Sequence, residues 1–306
     1  MIKKIIRIYY IDKNKKYKTY IMELLKSVDT PYGSIINKFS LKCDEDKEKW
    51  LNLNELLYKS SDNNAIIVKG LYDNKKDIVL KVGFQESIEK EYRIAGMLQK
   101  LPNFITYYCK FLCNDDILNI IKNEKMLTNY KICNSGSKPI GILIMNLYNL
   151  GSIGNYKWTS DNFNILKNLI KQSVFAILYA FEKKGFVHGD LHVNNILIKY
   201  KVKNEIKYGE QILKVNTFEA RIMDFEKSKL DETLEFKYVL DNIQKLFNSV
   251  CDNDNYDIKI NYKNNTLRKI KNEAMINNIK NNSIVPKYYE DMEEIIENFY
   301  IEYIKT

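Results

Sequence analysis

Between residues 55 and 82 the apolar positions fall in three short groups, 56–58, 65–68 and 78–82, separated by polar turns at 60–64 and 73–76. Runs of this length bounded by turn-forming residues predict an antiparallel meander. Over 85–100 the period changes. Ile88, Tyr92, Ile94, Ala95, Leu98 and Leu101 share one broad face at helical spacing, and Glu91 projects from the middle of that face. Glu86 and Glu89 point the other way. A carboxylate on a face destined for burial requires a cation. Residues 141–148 read as a buried strand that runs into a polar turn. The clearest helix covers 161–184, where Phe163, Leu166, Ile170, Val174, Ile177, Leu178 and Phe181 recur at spacings of three and four and Gly185 follows the end. Residues 220–223 predict a short strand and 238–250 a further helix.

Both histidines fall in one stretch, His188-Gly189-Asp190-Leu191-His192-Val193-Asn194-Asn195, which runs into the apolar Ile196-Leu197-Ile198. An Asp followed at this spacing by an Asn, on a turn feeding a strand, presents a carboxylate to a hydroxyl and a carboxamide oxygen to a metal ion. The same residue types also meet in ordinary polar turns for local hydrogen-bonding reasons. The H-x-D-x-x-x-x-N skeleton alone would arise by chance in roughly a few per cent of chains this long. Gly189, Leu191, His192 and the Ile-Leu-Ile strand make the accidental reading far rarer.

With those residues the stretch resembles the catalytic loop of the protein-kinase-like superfamily, and the resemblance extends over about 190 residues, from near Leu56 to near Val250. The H-G-D-L-H form is closer to haspin-type and large-DNA-virus protein kinases, and to choline and aminoglycoside kinases, than to the H-R-D-L-K of regulated enzymes. The resemblance implies an α+β, bilobal fold. A small antiparallel-sheet N-lobe would occupy 53–147 and a mainly helical C-lobe 148–306, after an extension, 1–52, with no assigned role. It implies ATP and Mg2+, with Asp190 as the base and Lys81, in Ile78-Val79-Leu80-Lys81, on the α- and β-phosphates. Glu91 orients that lysine, and Asn195 and Asp224, the latter opening Asp-Phe-Glu, hold the metal. The interval from Asp190 to Asp224 is longer than the family's usual one, so the lysine-rich segment 199–219 reads as an extended hairpin. The phosphate loop aligns on Ser60, Asp62, Ala65 and Ile67 and lacks all of the family's glycines. Met145 stands as gatekeeper, with Asn146, Leu147 and Tyr148 meeting the adenine edge. His188 is expected to pack beneath the loop and His192 to stand where protein-serine kinases carry Lys. Asp241 is the candidate brace beneath the loop. Gly189 in place of Arg, with no A-P-E after Asp224, argues against switching by activation-loop phosphorylation.

Composition changes this picture little. The 306 residues suffice for two lobes, and 45% hydrophobic with 28% charged content is globular. No apolar run is long enough to span a bilayer and the start lacks a secretory pattern, so a cytosol-like compartment is expected, host cytoplasm or virion if the source is viral. The cysteines, five in number and scattered, predict free thiols rather than a disulfide framework or a zinc site. The net charge of +9 concentrates in the first twenty residues and in 259–280, without a nucleic-acid motif. Three functions follow in order: a serine/threonine protein kinase with a protein substrate, a small-molecule kinase of the choline or aminoglycoside type, and a pseudokinase scaffold. The last is motivated by the missing loop glycines.

Overall fold

The computed structural model describes residues 51–59, 65–72, 76–112, 139–277 and 287–302, all within the second of two compact units, Lys47–Thr306. Ser60 and Asp62, and the extension up to residue 50, lie outside the described residues. The fold is mixed α+β with a mainly antiparallel sheet.

The meander exists and its strands are longer than the apolar groups suggest. Strands β1 (Leu51–Lys59), β2 (Ala65–Tyr72) and β3 (Lys76–Phe84) pair antiparallel. With β4 (Tyr107–Leu112) and β5 (Ile140–Asn146) they form a five-stranded sheet of order β1-β2-β3-β5-β4. The extra length mixes apolar residues such as Leu53 and Leu71 with polar ones such as Asn52, Glu55, Lys69 and Asp77, which join the ladder through backbone groups and break the apolar runs. Helix α1 (Gln85–Leu98) starts directly after β3 and covers β4 and β5. Its buried residues are Ile88, Glu91, Ile94, Ala95 and Leu98, the face expected from periodicity.

Helix α2 (Phe163–Lys184) is the spine of the remainder, with Leu166, Leu169, Ile170, Val174, Ile177, Leu178 and Phe181 fully buried. Full burial of each such side chain is worth ~1.5–3 kcal/mol. A 3-10 turn at Ser160–Asn162, closed by a Thr159/Asn162 capping box, precedes it, so the helix begins two residues later than the pattern indicated. Gly185 ends it in the left-handed region, its N–H bonded to the Phe181 carbonyl at 2.8 Å.

Beyond α2, β6 (Phe186–Val187) pairs with β11 (Lys229–Leu230), and β7 (Ile196–Tyr200) with β10 (Phe218–Ile222). Between β7 and β10 runs the expected hairpin, β8 (Glu205–Tyr208) and β9 (Gln211–Lys214). Helices α3 (Lys237–Cys251), α4 (Asn265–Ile276) and α5 (Lys287–Glu297) follow, and β12 (Lys259–Asn261) pairs with β13 (Tyr300–Glu302).

The segment after α1 is stitched to the end of β10. Ile105 N–H donates to the Ile222 carbonyl at 3.0 Å, and Ile222 N–H to the Asn103 carbonyl at 2.7 Å. The Asn103 side chain, fully buried, donates to Gln172 Oε1 at 3.1 Å and to the Ala220 carbonyl at 2.9 Å, and accepts from the Tyr208 hydroxyl of the hairpin. This network places the residue after Met223 relative to α1.

Two expectations change. Cys109 is disulfide-bonded, whereas Cys251 is a free thiol, because scattered spacing says nothing about which cysteines meet in space. The basic segment from 259 is partly neutralised: Lys259 pairs with Glu302 at 3.2 Å and Lys271 with Asp241 at 2.7 Å. Among the described residues no helix is long and apolar enough to cross a membrane.

Candidate active site

Three segments distant in sequence converge on Lys81. It sits mid-strand on β3 between Ile67 of β2 and Leu143 of β5. Its ammonium donates to Glu91 Oε2 at 2.7 Å and to Asp224 Oδ1 at 2.6 Å. Glu91 is 1% exposed, and its other oxygen accepts from the Tyr107 hydroxyl of β4. Burial opposes charge on Lys81, but the Glu91 and Asp224 carboxylates outweigh it and hold the amine above its ordinary range. Burial likewise opposes charge on Asp224, and the Lys81 ammonium prevails, leaving that carboxyl below its ordinary range. Glu89 faces outward, accepting from Gln85 at 3.0 Å and lying 3.5 Å from Lys110.

If the site binds ATP as the resemblance implies, replacing Glu91 by Gln should reduce activity and ATP affinity, and Glu89→Gln should leave both nearly unchanged. A double-mutant cycle between Lys81 and Glu91, read in ATP affinity, should give coupling well above additivity. Equal effects from the two glutamates would refute the pairing.

The loop before β7 is built around His188. Its Nδ1 accepts from the Asp190 N–H at 3.3 Å and its Nε2 lies 2.9 Å from the Met223 carbonyl, which fixes the tautomer with the proton on Nε2. Burial pushes this imidazole down to about 4, against the Met223 carbonyl, so the ring is neutral at pH 7. His188 thus ties the backbone of Asp190 to the residue preceding Asp224. Gly189 has φ +82°, and a Cβ there would stand 2.4 Å from the Lys227 carbonyl. Only glycine fits that approach.

Asn195 Nδ2 donates to the Asp190 carbonyl at 3.0 Å and to His192 Nε2 at 3.1 Å. Both partners take the amide nitrogen, which leaves Oδ1 for a metal. Asp224 is non-glycine with φ +67°, a conformation that Asp tolerates better than most residues. Phe225 is fully buried, its ring 5.9 Å from His188 and 6.1 Å from both Phe104 and Phe186. Glu226 meets α1 instead: Ser87 donates to its carboxylate at 2.9 Å and Lys90 to its carbonyl at 2.5 Å.

Met145 is buried on β5 between Val79 and Tyr107, and Leu147, just past the strand, is partly buried against the core. Ala65 opens β2, and Ile67 packs partly buried beside Lys81. Asp241 does not brace the loop. It is half exposed and paired with Lys271 of α4, while the same ridge of α3 supplies Lys245, which donates to the Gly189 carbonyl at 3.3 Å, and Ser249, which accepts from Val193 N–H at 3.1 Å.

Sequence reasoning passed over Tyr107, Ser87, Lys90, Lys245 and Ser249. It also passed over Lys227, whose ammonium lies 2.6 Å from Asp190 Oδ2. Adjacency to Asp-Phe-Glu was the one available signal for Lys227. Among the described residues no group of three or more His, Cys, Asp or Glu is arranged to hold a metal.

No family model matches the chain. Over 200 residues it is 26% identical to a protein of Plasmodium falciparum, covering 54% of this chain and 4% of that protein. Over 140 residues it is 23% identical to an uncharacterized protein of Caenorhabditis elegans, covering 44% of this chain and 43% of that protein. The chain spans less than half the length of these curated relatives.

Proposed function

We propose that the protein is an ATP-dependent phosphotransferase with a bilobal, protein-kinase-like arrangement, the sheet and α1 forming an N-lobe and the segments from residue 148 a C-lobe. The observation that carries the reading is Lys81 joined at once to Glu91 of α1 and Asp224 beyond β10, at 2.7 and 2.6 Å. A buried amine held charged by two carboxylates of separate elements is a phosphate-binding arrangement in waiting. In a purely structural core, burying this network would more often cost stability than add it.

ATP is then a substrate, with its α- and β-phosphates on Lys81 and its adenine beside Met145 and Leu147. Asp190 accepts the proton of the acceptor hydroxyl. The acceptor oxygen bonds to the γ-phosphorus as the bridge to the β-phosphate breaks, and ADP leaves with that electron pair. Asn195 and Asp224 would hold magnesium, which would supply charge neutralisation on the phosphate oxygens. The chain's own contribution is positioning: His188 fixes the backbone of Asp190, and Tyr107 and Lys81 fix Glu91. The acceptor retained first is a protein serine or threonine hydroxyl.

Purified protein incubated with γ-labelled ATP and Mg2+ should transfer label to an acidic or basic model protein and not to choline or an aminoglycoside. Label on the small molecules alone would reassign the acceptor class. No transfer to any acceptor, with no ATP binding, would overturn the phosphotransferase reading.

A further inference from the structure

We infer that Lys227 meets the phosphoryl group in transfer, an assignment that rests on the phosphotransferase reading above. Its ammonium stands 2.6 Å from Asp190 Oδ2. A base must lie within hydrogen-bond reach of the attacking hydroxyl, and that hydroxyl must touch the γ-phosphorus, so a cation on the carboxylate of Asp190 is already at the point of transfer.

An exposed ion pair is by default an unremarkable surface contact. Three observations separate this one from that default. The backbone of Lys227 is fixed on both sides: its carbonyl abuts Gly189, Ser228 Oγ donates to the His188 carbonyl at 2.8 Å, and Lys90 holds the Glu226 carbonyl at 2.5 Å. Its side chain is nevertheless 67% exposed and therefore free to swing from Asp190 to an incoming phosphate. The other candidate cations near the loop are engaged: Lys81 by two carboxylates, and Lys245 by the Gly189 carbonyl at 3.3 Å. His192, in the position where a loop cation was expected, turns its Nε2 to the Asn195 amide at 3.1 Å.

Lys227 therefore has two stations. Without nucleotide it neutralises Asp190. With ATP present it moves to the γ-phosphate oxygens, which frees the carboxylate to accept a proton and places positive charge where the transferred group gains it.

The test compares wild type, Lys227→Met and Lys227→Arg in thermal shift with Mg2+ and either ATP or ADP, together with kcat and KM for a phosphorylated acceptor. ADP lacks the γ-phosphate. The expected result is that wild type is stabilised more by ATP than by ADP, that Lys227→Met is stabilised equally by both, and that Lys227→Arg restores much of the difference. The Met variant should lose kcat by roughly 10- to 10³-fold with acceptor KM nearly unchanged. A Met variant that keeps the ATP-over-ADP preference and its turnover overturns the role of Lys227 while leaving the phosphotransferase reading intact. Wild-type protein that neither nucleotide stabilises overturns that reading, and this assignment with it.

Discussion

Asp190→Asn should lower phosphotransfer by roughly 10²- to 10⁴-fold without unfolding the protein. The backbone at this residue is held independently of its carboxylate: the N–H by His188 Nδ1 at 3.3 Å and the carbonyl by Asn195 Nδ2 at 3.0 Å. The substituted amide keeps an oxygen to accept from Lys227, so the loop loses a proton acceptor and little else. Single-turnover kinetics with labelled ATP, beside a thermal melt of the same preparation, separate the two effects. Turnover near that of wild type would remove Asp190 from the role of base.

Asp224→Asn should abolish the Mg2+-dependent part of ATP stabilisation and lower turnover by roughly 10²-fold or more. Asn is preferable to Ala here because φ is +67°, a conformation that Asn adopts readily and that would strain Ala. In the nucleotide-free protein the change leaves Lys81 paired with Glu91 at 2.7 Å and removes one of two carboxylates crowding a single ammonium. The apo melting temperature should consequently stay within about 3 °C of wild type. Titrating ATP with and without Mg2+ in a thermal shift reads this directly. Unaltered Mg2+-dependent stabilisation would move the metal to other residues.

Local period carried most of what the sequence revealed. The phase of α1 singled out Glu91 over Glu86 and Glu89, since one residue of shift rotates a side chain by about 100°. Helix α2 followed from spacing and its closing glycine, whereas the 199–219 hairpin was reached through resemblance, from the long interval between Asp190 and Asp224. What stayed hidden depends on contacts that no period encodes. Lys227 and Asp190 are separated by 37 residues, and Lys81 and Asp224 by 143; resemblance marked Asp190, Lys81 and Asp224 one by one, but neither contact. On α3 the correct ridge was visible but not the turn that touches the loop, because Asp241, Lys245 and Ser249 repeat every four residues and are equivalent in phase. Tyr107 was missed for another reason: a single hydroxyl among so many tyrosines carries no signal until Glu91 is seen beside it.

The Asn103 network bears on how the chain assembles. Its side chain is bound to partners 69, 105 and 117 residues away, Gln172, Tyr208 and Ala220. Contacts of such separation are reached only after long loops have closed, whose entropy is spent before any bond is made. The knot therefore forms late, when the sheet, α2 and the hairpin already exist. Bonds absent from the folding transition state act chiefly on the unfolding rate, so the hairpin governs how long the native protein persists more than how fast it is made.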